Sequence, residues 1–507
     1  MCSEHSGTSH KNNVTEKLSK DELAESWKND AHSASEAIHE VARIFRSLNL
    51  QPGDDHILKI ATAEKVSDLK QYAAPWAAHS VEEVLKEASE IFDYRMRMNH
   101  PRSFAFIPSP VSPFSWLGET VSSAFNAFAG SRLQSSGPSA IENELIQWMA
   151  AKAGLPPTAG GLSVSGGSMA NLTAMVLARD RTLSPDNWPS GTAYVSDQTH
   201  SSVAKGLRIL GFRESQVRKV PTDDQFRMDT SALQKAMQSD RDAGYFPFVI
   251  IASCGTTNTG SIDPLHDIVK IARMEGLWVH VDGAYGASAL MSKSKGSLLD
   301  GLGGVDSISW DAHKWLFQTY GCGILLVRDK THLAQSFHTD AEYIKDAAEN
   351  EDVPNFWNLG IELTRPARIM KLWFTLRILG LEKIDQLINH GFALAEVAQK
   401  ELEALSDWEV TSPANMAILT FRFAPTGRRE DEIAVLNKAI SQQVISDDVA
   451  GILTTKLNGK TVLRICAISP LMTGGGMKTI IRQLDSIGRK VLDGCTIALR
   501  ASLSDDL

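Results

Sequence analysis

From residue 162 onward the chain alternates short apolar runs with helical ones, and that alternation limits the possible folds more than any other feature of the sequence. β-type runs fall at residues 162–165, 193–196, 217–220, 248–253 and 278–282, with helical periodicity between them at 168–179, 201–210, 230–238 and 265–274. Strand and helix repeated at this spacing predict a mostly parallel central sheet with helices on both faces, an α/β fold. Ligands of such sheets lie beyond the carboxyl ends of the strands, so the residues just after each strand are the first candidates for chemistry.

The last of these strand ends is the most informative. A β run at 307–310 ends in Asp311-Ala312-His313-Lys314-Trp315, and 322–327 reads as the next buried strand. Between an apolar strand and a tryptophan, the Lys314 amine is poorly solvated, loses proton affinity and becomes a nucleophile suited to a Schiff base. Taken alone, Lys314 also fits a lysine snorkelling at a strand end.

Four further strand ends carry polar residues of matching character. Ser165-Gly166-Gly167-Ser168 opens a helix, and a glycine pair before free helical N–H groups suits a phosphate, although such a turn is more often only a turn. The spacing is not the GxGxxG of a dinucleotide site. His200, after the run 193–196, can stack on a flat heterocycle or serve as a hydrogen-bonded scaffold residue. Thr257, in Gly255-Thr256-Thr257, offers a hydroxyl after 248–253. Asp282 closes the apolar strand 278–282 and needs a cationic partner there, unless it caps the turn that follows. A phosphate cradle, a stacking face, a carboxylate for a ring nitrogen and a Schiff-base lysine together match what pyridoxal 5′-phosphate (PLP) requires.

The stretches HPRSFAFIPSP, SGGSMAN, SDQTHSS, HVDGAYG, SWDAHKWL and KLWFTLR resemble the group II PLP-dependent amino-acid decarboxylases, especially the aromatic-L-amino-acid decarboxylase branch. The likeness runs over about residues 23–491. It implies PLP fold type I, with a helical N-terminal segment, a small α+β C-terminal domain and a homodimer whose sites lie at the subunit interface. Lys314 then forms the Schiff base, Asp282 pairs with the pyridinium nitrogen, His200 stacks on the ring and Ala284 lines its other face. Thr257 lies near the cofactor, and Gly167, Ser168, Ser307 and His313 resemble phosphate-binding positions, with Asp311 beside them. Asp311 stands where close relatives often carry asparagine.

The reaction is read from the polar segment 329–358, which resembles a mobile lid. Tyr343, 29 residues after Lys314, matches a tyrosine that in the resembling decarboxylases protonates the carbon after CO2 leaves. Relatives that form aldehydes tend to replace this tyrosine or the stacking histidine. The expectation is therefore decarboxylation of an L-amino acid, aromatic by preference, to its amine. The alternatives are an aldehyde-forming oxidative deaminase, an aldol-type lyase, or a decarboxylase of an acidic amino acid. Phe104, Phe106, Ile107 and Pro108 resemble an apolar wall for an aromatic side chain but equally suit a core. Arg102 suits an acidic substrate or a surface ion pair. A non-enzymatic binding protein on the same fold would carry lesions at Lys314, Asp282 or His200, and none is present.

Composition narrows the rest. Lys+Arg 51 against Asp+Glu 60 gives a net charge of −9, which argues against a nucleic-acid partner. The scattered Cys2, Cys254, Cys322, Cys466 and Cys495 lack zinc-site spacing, so no metal is expected, and they suit a reducing cytoplasm. No apolar run is long enough for a bilayer. The expected organisation is a disordered tail at 1–20, a helical segment at 21–98 packing at a dimer interface, a large PLP-binding α/β domain at 99–380 and a small α+β domain at 381–507.

Overall fold

The computed structural model describes residues 20–50, 55–73, 78–338 and 354–504. The chain divides into two compact units, one taking in residues up to 54 and 59–96, the other residues 55–58 and everything from 97 onward. In the first, α1 (Lys20–Leu50), α2 (Ala63–Leu69) and α3 (Val81–Asp93) are helical. Ser80 starts α3 through a reciprocal capping box with Glu83, the pattern its sequence predicts. The expected tail at 1–20 lies outside the described residues except for its last position, which already begins α1.

In the second unit, two helices precede the sheet. α4 (Pro113–Phe125) begins with a proline in its first turn behind the Ser112 cap. α5 (Arg132–Lys152) carries a non-helical residue, Ser135, and an internal proline, Pro138. The alternating segment then builds β1 (Gly160–Val164), α6 (Gly167–Thr182), β2 (Gly191–Ser196), α7 (Ser201–Ile209), β3 (Val217–Val220), α8 (Thr230–Asp242), β4 (Phe246–Ser253), α9 (Leu265–Glu275) and β5 (Trp278–Asp282). β6 (Ser307–Asp311), β7 (Gly323–Val327) and α10 (Thr331–Phe337) follow.

The seven strands lie in the order β1-β7-β6-β5-β4-β2-β3. β2, β3, β4, β5 and β6 pair in parallel, while β7 is antiparallel to both β1 and β6. The carboxyl ends of β1, β2, β4, β5 and β6 therefore share one edge with the amino end of β7. Both faces are covered. Along β7, Ile324 and Leu326 enter one core while Leu325 and Val327 enter the other, and β4 splits the same way between Ile250 and Val249 with Ile251. Burial on both faces is why these strands read as unbroken apolar runs, each large aliphatic contributing roughly 1.5–3 kcal/mol.

α11 (Met370–Glu403) leaves the large sheet and changes direction at Gly380, whose φ of +70° suits glycine. Beyond it, β8 (Trp408–Asn415), β9 (Ile418–Phe423), α12 (Glu430–Ser446), β10 (Leu453–Leu457), β11 (Lys460–Cys466) and α13 (Gly474–Ser504) form a second layer. Its strands make an antiparallel sheet in the order β10-β11-β9-β8. The predicted fold class is thus the observed one.

Candidate active site

A cavity of about 400 Å³ opens at the carboxyl edge of the large sheet, and Gly167, Ser168, His200, Thr257, Asp282, Ala284, Asp311, His313 and Lys314 all line it. Residues that the sequence spreads over about 150 positions meet because each follows a strand of the same polarity.

Asp282 ends β5 and is 9% exposed. Its Oδ2 accepts from Asn171 Nδ2 at 3.0 Å, and its Oδ1 from Ser309 Oγ and the Ala284 N–H, both at 3.2 Å. Burial pushes this carboxyl upward, but the Lys314 charge and the Asn171 and Ala284 donors outweigh it and hold the pKa below the usual range. Asp282 is therefore an anion.

Behind it runs a buried chain of donors with a single direction. The Trp278 indole, which can only donate, gives its N–H to Ser307 Oγ at 2.9 Å. Ser307 donates in turn to His280 Nδ1 at 2.9 Å, and His280 Nε2–H donates to Asn171 Oδ1 at 2.9 Å. Asn171 spends its two amide hydrogens on Asp282 and on Ser202 Oγ, at 3.0 Å each. Ser202 passes its hydroxyl proton towards His200 Nδ1 at 2.8 Å. Burial holds the His280 pKa below its ordinary value against the pull of Asp282, so the ring is neutral, as the chain requires. One tautomer thus orients both Asp282 and His200.

The cradle is the amino end of α6. No side chain caps that helix, so its first N–H groups remain for a ligand. Gly167 is obligatory: a Cβ there would stand 2.8 Å from Asp311 Oδ2 and 2.9 Å from the Ala284 methyl. Lys314 Nζ lies 3.2 Å from Asp311 Oδ2, and His313 Nε2 lies 3.6 Å from it. The cradle, the ionised Asp282 and the Lys314 amine on one cavity fit a phosphorylated pyridine aldehyde.

Six expected residues do not line the cavity. Ser307 is at the far end of β6, about 13 Å of strand from Asp311, and its hydroxyl is committed to Trp278 and His280; it supports Asp282 instead of a phosphate. Phe104 is fully buried in the core of the small sheet, with Phe421 and Leu463. Arg102 pairs with Asp448 at 3.1 Å and binds the Asp448 and Val449 carbonyls, so in this chain it staples a turn, the ion-pair reading of its sequence, and does not line the cavity. Ile107 packs on the core and Pro108 is buried, neither lining the cavity. Phe106 is 59% exposed and does not line the cavity either; its carbonyl shares the Arg464 guanidinium with the carbonyl of Thr257, which does. Tyr343 and half of the expected lid, residues 339–353, lie outside the described residues, and the lid's start forms α10.

Sequence reasoning gave no role to Asn171, His280 or Arg464. For the last two the available signal was a charged or polar side chain inside an apolar strand run.

The family model described as "Pyridoxal-dependent decarboxylase conserved domain" matches residues 64–424. An aromatic-L-amino-acid decarboxylase of Bacillus atrophaeus is 38% identical over 403 residues, 79% of this chain and 84% of that protein. A phenylacetaldehyde synthase of Petunia hybrida is 30% identical, over 79% of this chain and 83% of that protein. The Oryza sativa TDC solved with PLP and tryptamine superposes with a TM-score of 0.86 at 27% identity, covering 91% of this chain and 98% of that one. Sheet order, strand-end lysine and these likenesses define a PLP enzyme of fold type I. The chain belongs to the pyridoxal-dependent decarboxylase family, whose members are PLP-dependent carboxy-lyases of amino acids.

Proposed function

We propose that this enzyme removes the α-carboxyl group of an aromatic L-amino acid, releasing CO2 and the arylalkylamine. The observation that carries this reading is the Asp282 anion, buried beneath a cavity whose rim bears the Lys314 amine. The aromatic preference is supported by the likeness to the Bacillus atrophaeus enzyme.

PLP supplies, when bound, a cationic pyridine ring that takes up the electron pair left by the departing carboxyl group. The chain's own residues do the rest. Lys314 provides the amine that tethers the cofactor. Asp282, kept ionised by Lys314, Asn171 and the Ala284 N–H, holds a proton on the ring nitrogen. His200, at the start of α7, offers a flat face fixed by Ser202, and Ala284 bounds the opposite side. Gly167 and Ser168 present N–H groups to the phosphate, with His313 and Asp311 closing the cradle. Thr257 contributes at the rim. Tyr343 delivers the proton that replaces CO2.

We further propose a homodimer with its sites at the subunit interface, working in the cytoplasm. No helix among the described residues is long and apolar enough to cross a membrane, and Cys254, Cys322 and Cys466 are free, buried thiols. The purified, PLP-loaded protein should release amine and CO2 in equal amounts from one or more of tryptophan, tyrosine, phenylalanine and DOPA in a screen of all amino acids. Release from an acidic amino acid alone would overturn the substrate class. Aldehyde formation is the second reading, favoured by the likeness to the Petunia synthase; aldehyde with peroxide in place of amine would establish it. Tyr343→Phe should lose amine and gain aldehyde, and undiminished amine would remove the role given to Tyr343.

A further inference from the structure

The donor chain behind Asp282 has one arrangement that satisfies every group, and both of its ends select it. The Trp278 indole can only donate, and the Asp282 carboxylate can only accept. Asn171, 1% exposed, therefore turns its amide nitrogen to Asp282 and its oxygen to His280 Nε2–H, which leaves the His280 Nδ1 lone pair for the Ser307 hydroxyl. The reversed arrangement fails at both ends. It would put the Asn171 oxygen where the nitrogen now lies 3.0 Å from Asp282 Oδ2, and it would strand the Ser307 hydroxyl hydrogen beside the Trp278 N–H inside a fully buried strand.

Asn171 has a second amide hydrogen, and it goes to Ser202 Oγ at 3.0 Å. Ser202 in turn aims two donors at His200 Nδ1, its hydroxyl at 2.8 Å and its backbone N–H at 3.3 Å. That backbone N–H cannot turn round, because it belongs to the first turn of α7, which His200 caps. With two donors on Nδ1, the proton of a neutral His200 sits on Nε2. One amide group on α6 thus serves both the buried carboxylate and the imidazole that line the cavity. Hydrogen bonds in such a buried chain polarise one another, so a change at one end is felt at the other.

We propose that Asn171 and His280 are positioning residues that join the two contacts to the cofactor ring, Asp282 at its nitrogen and His200 on its face, into one hydrogen-bonded assembly. His280 acts by holding the Asn171 amide in a single orientation; it needs an acceptor towards Ser307 and a donor towards Asn171, and no change of charge. Engagement of the ring nitrogen by Asp282 is then relayed through Asn171 and Ser202 to His200 Nδ1. The inference rests on reading the cavity as the PLP site.

Pyridoxamine 5′-phosphate has no aldehyde and probes the ring contacts without the covalent step, and its carbocyclic analogue, with C–H in place of the ring nitrogen, removes the Asp282 contact alone. Both are titrated into cofactor-stripped wild type, His280→Gln, His280→Phe and Ser202→Ala. Histidine is isotope-labelled for nitrogen NMR, and the His200 signals are assigned by their loss in His200→Gln. The wild type should prefer the pyridine by about tenfold or more, the worth of a hydrogen bond to a charged group. His280→Gln should keep that preference, since its amide supplies the same acceptor and donor, and His280→Phe should lose most of it. His200 Nδ1 should be unprotonated in the wild type and should shift more with the pyridine than with the analogue. In Ser202→Ala the preference should remain while that difference disappears. An equal preference in the wild type and His280→Phe would overturn the proposal. So would a loss in His280→Gln as large as in His280→Phe, or a His200 response that survives Ser202→Ala, which would assign it to direct contact with the ring. Where His280→Phe does not fold, His280→Gln and Ser202→Ala decide by the same readings. A wild type that binds both probes equally refutes the placing of Asp282 at the ring nitrogen, and one that binds neither refutes the cofactor-site reading; either outcome is distinct from failure of the relay and removes its basis.

Discussion

His280 shows what a single residue contributes when its neighbours settle its protonation. It is fully buried and neutral in the fold, with Ser307 donating to one ring nitrogen and Asn171 accepting from the other. Once unfolded, an imidazole takes a proton below about pH 6.5, so in acid the unfolded chain binds more protons than the native one. Stability is therefore whole above that pH and is lost as pH falls through it, with a limiting slope of about 1.4 kcal/mol per pH unit from this group. Urea denaturation of His280→Phe should show a shallower acid loss than wild type. The same variant leaves Asn171 Oδ1 unpaired, a cost of about 1–3 kcal/mol at neutral pH. At Lys314 the expectation is spectroscopic: Lys314→Ala should bind PLP without the visible absorption of a Schiff base, and retention of that band would remove the lysine from its role. Lys314, Asp282 and His200 were legible because each follows a readable strand. His280 and Asn171 were not, since their hydrogen bond spans 109 residues of chain.

Among the elements, β1, α5 and the segment before α11 are held by one ion pair. Arg365, 1% exposed, binds Glu142 at 2.6 and 3.2 Å, the Ala129 and Ser163 carbonyls and Ser163 Oγ. Glu142 Oε1 also accepts the Ser163 N–H at 2.8 Å. Glu142→Ala strands a buried guanidinium and should cost about 3–5 kcal/mol, whereas Arg365→Met with Glu142→Leu should cost less, because no unpaired charge remains. Denaturation midpoints separate the two cases, and an equal loss would show that packing volume, not charge, sets the cost. β5 matches its predicted range to the residue, since a strand buried throughout leaves a nearly unbroken apolar signal, and the edge strand β3 does so through Val217 and Val220, which bracket Arg218 and Lys219. β8 and β10 escaped notice because most of their residues are only partly buried and many are polar. α5 was hidden by Gly137-Pro138, which reads as a break although the helix passes through it.

At the scale of the molecule, cofactor binding and folding are linked. A ligand bound only by the native state and present at about 100 times its dissociation constant adds about 2.7 kcal/mol, so stripping PLP should lower the thermal midpoint, and Asp282→Ala should erase most of the difference. An unchanged midpoint would separate the cavity from PLP binding. Sedimentation of the loaded enzyme should give a dimer, and a monomer at working concentration would refute the shared-interface proposal. The amino-acid order alone determined the α/β class, the edge at which ligands bind, and the aspartate, histidine and lysine that stand there, because strand periodicity and strand ends are properties of short segments. It set Ser307 with the phosphate by resemblance, left Phe104 open between substrate and core and Arg102 between substrate and ion pair, and left the Asn171–His280 support and the unpaired Asp311 oxygen out of view. Those belonged to the tertiary structure, since which end of a buried strand faces a cavity, and which distant donor reaches a carboxylate, is set only when crossovers bring remote segments together.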